Sequence, residues 1–172
     1  MILPIVGYGA AVLRKRSDYI QQDYPELHKL IDNMWETLYN ANGCGLAAPQ
    51  VDRPVRVFVI DDNNGIKECF INATIIHCGS EMWEDEEGCL SIPGLAATIK
   101  RPWEITIQYA DSGFKEHIKT FTGITARMIQ HEYDHLEGIL YIDHLSSLER
   151  KLWKAKLEKV RKGKINRRYP MI

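Results

Sequence analysis

Gln130-His131-Glu132-Tyr133-Asp134-His135 is the stretch around which the rest of the chain organises. It closes a helical pattern over 125–136, with Thr122 as the candidate cap and Gly138 as the stop. On a helix, residues i and i+4 share a face, so both imidazoles reach one ion while Glu132, one position along, addresses a water beside it. The plainer alternative makes them ordinary helix histidines and leaves Glu132 on a solvated face. Three fixed residues arise by chance in roughly 2% of chains of this length, so the segment needs the remainder of a site to carry weight.

On its N-terminal side, 96–99 and 105–109 read as strands with Pro102 as a boundary, and Asp111-Ser112-Gly113 turns the chain towards a return over 114–119. Further back, 55–60 and 68–76 flank a turn at 61–65 and predict a hairpin. The stretch 24–40 places Leu27, Leu30, Ile31, Met34, Trp35, Leu38 and Tyr39 at helical spacing before the stop Asn42-Gly43. Beyond the histidines, a last helix is expected over 147–162 with Leu148, Leu152, Trp153 and Leu157 facing inward. No repeat or linker divides the chain. The expected fold is α+β: mostly antiparallel β-sheets packed around a central metal-binding helix, with a helix in the N-terminal region and another at the C-terminus. Residues 1–172 then form one domain that ends in a basic helix and tail over 147–172.

At 172 residues with 45% hydrophobic and 26% charged side chains, the composition excludes a disordered or fibrous chain. The first residues are apolar but lack a basic start, and no window approaches the roughly 18 apolar residues of a spanning helix. A cytoplasmic protein without membrane contact is expected, and the cysteines at 44, 69, 78 and 89 are read as free. From Ser146 onward there are ten Lys/Arg against Glu149 and Glu158. That local balance of +8 leaves −9 on the remainder of a chain whose net charge is −1. Such a basic end suits either a solvated helix face or an anionic partner.

Two histidines are too few, because a catalytic zinc-like centre takes three protein ligands and keeps one open position. A metzincin would place its third histidine at position 141, which is Tyr; His144 comes three residues late, and Glu149 or Glu158 would need the last helix to pack against this one. Cys89, in Glu86-Glu87-Gly88-Cys89-Leu90-Ser91, offers a thiolate from an irregular stretch where glycine permits close approach. Taken alone, a cysteine there is more often a small buried apolar residue. Gly43-Cys44-Gly45-Leu46-Ala47-Ala48-Pro49-Gln50 is either a tight turn followed by close packing or a pocket wall with Gln50 donating a hydrogen bond. A zinc peptidase, and an RNA- or ribosome-binding protein with a structural metal, both remain open from these residues.

Together the segments GCGLAAPQ at 43–50, EGCLS at 87–91 and QHEYDH at 130–135 resemble the peptide deformylase family, whose motifs run G-x-G-L-A-A-x-Q, E-G-C-L-S and Q-H-E-x-D-H in that order. Val12-Leu13-Arg14 and the chain length are similar as well. The resemblance implies Cys89, His131 and His135 as metal ligands and Glu132 as the acid/base residue. It implies Gln50 and the Leu90 N–H as donors to a formyl oxygen, and removal of the N-formyl group from nascent proteins that begin with formyl-methionine. It also implies Fe²⁺ as the metal, with Zn²⁺, Ni²⁺ or Co²⁺ as substitutes. Ala73, where the family often has proline, Asn42, where an acidic residue is common, and Cys44, at a variable position, depart from the usual pattern without touching a proposed ligand.

With that activity, Ile124, Met128 and the stem of Arg127, with Cys44 and Leu90, are expected to line an apolar pocket for a methionine side chain. Backbone at Gly43 and Gly45 and after Glu87-Gly88 would pair with the peptide as an added strand. Glu87 and Asp134 are candidates for orienting a ligand histidine, with Arg101 as the partner of Glu87. The basic end over 147–168 would help docking on ribosomes.

Overall fold

The computed structural model describes residues 1–166 and 168–172; Arg167, one of the ten basic residues counted above, lies outside the described residues. Strand β2 (Val57–Asp61) reads Val-Phe-Val-Ile because both of its faces are covered. Val57 and Val59 pack with Leu30, Met34 and Leu38 of helix α1 (Leu27–Asn40). Phe58 and Ile60 point the other way, into a cluster with Ala126 and Ile129 of helix α2 (Gly123–Leu136). Each such side chain, fully removed from water, stabilises the fold by about 1.5–3 kcal/mol.

Around β2, strands β1 (Gly45–Ala47), β3 (Lys67–Cys78), β6 (Glu104–Ala110) and β7 (Glu116–Thr122) complete an antiparallel sheet in the order β1-β2-β3-β6-β7. Strands β4 (Met82–Cys89) and β5 (Ile92–Pro102) form a separate antiparallel ribbon. The ribbon's apolar side, with Ile92, Ala97 and Ile99, shares a third cluster with Tyr141, Ile142 and the last helix, α3 (Ser147–Arg161). Helix α2 thus lies between the sheet and the ribbon, the central position expected of it.

The hairpin of β2 and β3 forms as the sequence indicates, in the register Val59↔Cys69. Thr122 is the N-cap residue of α2, although its side chain makes no capping bond, and Gly138 adopts φ 73° just past the helix end. Three expectations need correction. The stretch read as irregular around Cys89 is the end of an eight-residue strand. Its run Glu84-Asp85-Glu86-Glu87 has poor strand propensity, but a basic neighbouring strand compensates it: Glu84 lies opposite Lys100, and Glu87 accepts from Arg101. In α1, Tyr39 is exposed and gives its hydroxyl to Asp61 Oδ2 at 2.8 Å, and Trp35 is only partly buried. In α3, Leu148 and Leu152 are 66% and 70% exposed, while Leu157 and Val160 are buried. Trp153, Leu157 and Val160 define the packed stripe, and Leu152 lies about 100° round the helix from Trp153. Among the described residues no helix is long and apolar enough to cross a membrane.

Candidate metal centre

Helix α2 presents His131 and His135 on the face turned to the ribbon, with ring centroids 5.3 Å apart. Across from them, β4 ends at Cys89, where a register shift between Gly88 and Cys89 interrupts the ladder. One ligand atom from each of the three residues lies within 4.8 Å of the others, and Cys89 Sγ is 3.3 Å from His135 Nε2. Sulfur with two imidazole nitrogens suits a borderline-soft divalent ion. Two buried atoms in this cluster, Glu132 Oε2 and His135 Nδ1, have no hydrogen-bond partner among the described residues. Orphaned buried acceptors are costly, and an ion with its water supplies what Glu132 lacks. The residues present therefore fit a metal.

Glu87 organises the surroundings. Its carboxylate accepts from Arg101 Nε at 2.5 Å and Nη2 at 2.9 Å, from Arg127 Nη1 at 2.7 Å, and lies 3.0 Å from His131 Nδ1. With Nδ1 engaged, His131 turns Nε2 towards the cluster, the usual arrangement of a carboxylate behind a metal-binding histidine. Arg101 is indeed the partner of Glu87, and its other arm reaches Asp134 Oδ2 at 2.9 Å. Burial alone would raise the Glu87 carboxyl, but the bonds from His131 and Arg101 outweigh it and hold the group far below the carboxylate range. Burial also works against a charged His131, yet Cys89 and Glu87 hold that imidazole well above its ordinary value. Burial, joined by the His131 charge, keeps His135 well below.

Glu132 lies buried against β1, facing Gly45. Burial pushes its carboxyl up to about 7, opposed by His131. That places it where a group can both take and give a proton near neutrality. Gln50 is fixed from behind: Ala47 N donates to its Oε1 at 2.8 Å, which leaves Nε2 facing Ser91 Oγ at 3.2 Å and Cys89 Sγ at 3.5 Å.

These groups open onto a cavity of about 720 Å³. Gly43, Cys44, Gly45, Gln50, Glu87, Gly88, Cys89, Leu90, Ile124, Arg127, Met128, His131 and Glu132 all border it, whereas His135 stands behind, 1% exposed. Arg127 contributes only its stem, since its guanidinium is turned to Glu87, Ile99 O and the Trp83 ring. A Cβ at Gly43 would stand 2.8 Å from Leu38 Cδ1 and 2.9 Å from Leu90 Cδ1, so a side chain there would have to displace one of the two leucine ends. Four bordering or supporting features were missed from sequence: Ser91 Oγ, the strand residues after Ile92, the His131-stacked Tyr141, and the C-terminal residues Asn166, Arg168 and Tyr169. Ser91 sat inside a quoted motif; nothing in the sequence connected position 169 with position 90.

The polypeptide deformylase family model matches residues 2–151. A peptide deformylase of Christiangramia forsetii is 49% identical, over 99% of this chain and 95% of its own. The crystal structure of a peptide deformylase from Legionella pneumophila superimposes with a TM-score of 0.87 at 34% identity, covering 95% of this chain and 98% of that one. A Plasmodium falciparum peptide deformylase, in complex with an inhibitor, gives 0.84 at 34% identity over 92% and 99%. Fold, metal-ligating cluster and near full-length similarity agree, and the chain belongs to the polypeptide deformylase family.

Proposed function

We propose that Cys89, His131 and His135 hold Fe²⁺, with Zn²⁺, Ni²⁺ or Co²⁺ as substitutes, and that Glu132, Gln50 and Leu90 use the site to remove the N-formyl group from formyl-methionyl nascent proteins. The observation that carries this reading is the convergence of one thiol and two imidazoles, with the buried Glu132 carboxylate next to His131 keeping an oxygen that has no partner among the described residues. When bound, the divalent ion supplies Lewis-acid chemistry that makes a water molecule nucleophilic near neutral pH. Glu132 Oε2 takes a proton from that water as its oxygen bonds to the formyl carbon. Gln50 Nε2 and the Leu90 N–H donate to the formyl oxygen as it gains negative charge. Glu132 then returns the proton to the nitrogen as the C–N bond breaks, leaving formate and a free α-amine.

Ile124, Met128, Cys44 and Leu90 receive the methionine side chain in this reading, with Gly43 keeping the wall thin. β1 is an edge strand, bonded to β2 on one side only, so a peptide can add beside Gly45 and face the chain after Glu87-Gly88. Anaerobically prepared protein, assayed for formate release from a formyl-Met peptide together with its metal content, tests the whole assignment. Cleavage of internal peptide bonds without formate release would replace it with a peptidase.

Residues 1–172 act as one domain, supported by the meeting of the two chain ends at Ile5 and Met171. The protein works in the cytoplasm, where formylated chains emerge, and α3 docks on the ribosome through its basic side and the exposed Leu148 and Leu152. Salt-dependent cosedimentation with ribosomes is expected; none at all, or association insensitive to salt, would count against it.

A further inference from the structure

After α3, Gly163 turns the chain at φ 64° and the last residues run back to the catalytic end of the molecule. There they lie beside the N-terminal segment: Ile5 N donates to Pro170 O at 2.8 Å, Ile172 N to Ile5 O at 3.0 Å, and Gly7 N to Ile172 O at 2.8 Å. The alternate amides of the same segment face the site, Val6 N donating to Gln50 O at 2.8 Å and Tyr8 N to Ser91 O at 2.9 Å. The N-terminal segment, backed by the C-terminal residues, therefore grips the backbone of residues 50 and 91. A third anchor falls between them, the Tyr169 hydroxyl donating to Leu90 O at 2.7 Å.

Leu90 and Ser91 are the two-residue link between Cys89 and Ile92, outside the ladder that fixes the rest of the ribbon. On one side of Leu90, Cys89 is set by the ligand cluster. On the other, the carbonyl direction is set by Tyr169. Burial, with Cys89 nearby, pushes the Tyr169 phenol up to about 12, so it stays a donor throughout the neutral range. Tyr169 and the C-terminal residues beside it lie beyond residue 151, where the family match ends.

We propose that Tyr169 is a positioning residue for the reaction: by holding the Leu90 carbonyl, the C-terminal strap fixes the aim of the Leu90 N–H at the formyl oxygen. This rests on the role given to Leu90 above. A donor that must meet charge developing in the transition state loses value quickly when its direction wanders, whereas binding of the methionine side chain does not depend on it.

The test compares Tyr169→Phe with the parent in the full-length, metal-loaded protein. Expected are a fall in kcat of about fivefold, the size of one neutral hydrogen bond, with KM within about twofold. In the protein loaded with diamagnetic Zn²⁺, hydrogen exchange at the Leu90 amide, read by NMR, should accelerate by a similar factor. An unchanged kcat overturns the proposal. So does a raised KM with kcat kept, which would make the ring a mere pocket wall, and so does a loss of kcat without faster exchange at Leu90, which would make Tyr169 only structural. Gln50→Ala, measured alongside, separates this inference from the reading beneath it. If Gln50→Ala lowers kcat by about a hundredfold and Tyr169→Phe does nothing, the pair of oxygen donors stands and only the strap's role falls. If neither variant changes kcat, both fall.

Discussion

Gly45 and Glu132 meet so closely that a methyl on Gly45 would stand 2.8 Å from Glu132 Cδ and 2.9 Å from Cγ. Gly45 has ordinary strand geometry in β1, so glycine is required there by space and not by φ. Gly45→Ala must push the carboxylate aside. A displacement near 1 Å costs about a hundredfold in turnover, and metal content should stay at the parent level. Glu132→Gln is expected to keep metal and lose nearly all formate release; near-normal turnover there would end the acid/base assignment of Glu132, and near-normal turnover in Gly45→Ala would show that the carboxylate is not held in place by β1.

Glu87 faces two buried guanidinium groups and His131. Glu87→Gln leaves the Arg127 guanidinium without its counter-charge and Arg101 with Asp134 alone, which costs about 3–5 kcal/mol of stability. It also frees the His131 ring, lowering metal affinity by about 10–100-fold. Urea unfolding and a metal titration read the two effects separately, and a variant as stable as the parent would show that the network is not what holds the ribbon to α2.

Cys89→Ala is expected to reduce metal occupancy after identical preparation and to abolish the sulfur-to-metal charge-transfer band of the Co²⁺ form. Full occupancy with an unchanged band would remove Cys89 from the coordination of the ion.

Asp62 ties the β2–β3 turn to the start of α2, accepting from Asn64 N at 2.8 Å, Ile66 N at 2.9 Å and Thr125 Oγ1 at 2.7 Å. Burial would raise its carboxyl, but these bonds prevail and hold it below the ordinary value. The unfolded chain therefore takes up the proton first, and the stabilisation, present above the usual aspartate value of about 3.9, is lost as pH falls below it. Asp62→Asn should cost about 1 kcal/mol at pH 7 and weaken the decline in stability below about pH 4. Equal acid sensitivity in the variant and the parent would contradict this.

The helices and the hairpin were legible because their apolar residues recur at the periods the elements impose: Leu27, Ile31, Leu38 in α1, and Val57 and Val59 against Phe58 and Ile60 in β2. The metal cluster was legible because its chemistry is confined to rare residue types at short spacing. Strand β4 was hidden by acidic residues whose compensation lies across the ribbon, at Lys100 and Arg101. Helix α3 carries more leucines than its buried stripe uses, so composition could not select the face. Tyr169 and Leu90 are 79 positions apart, and no local pattern announces a bond that only the path of the C-terminus creates.

Strand β4, which ends in Cys89, and the helix that carries His131 are separate pieces of chain, the two residues lying 42 positions apart. An ion bridging them would be a removable cross-link as well as a reagent, tying ribbon to helix in the folded state alone. Because it binds only the folded arrangement, free metal at about one hundred times its dissociation constant adds about 2.7 kcal/mol of stability. Chelation should therefore lower the melting temperature along with the activity, and loosen the β4–β5 ribbon before the five-stranded sheet. A cell short of the ion would lose this protein twice, once as a catalyst and again to proteolysis.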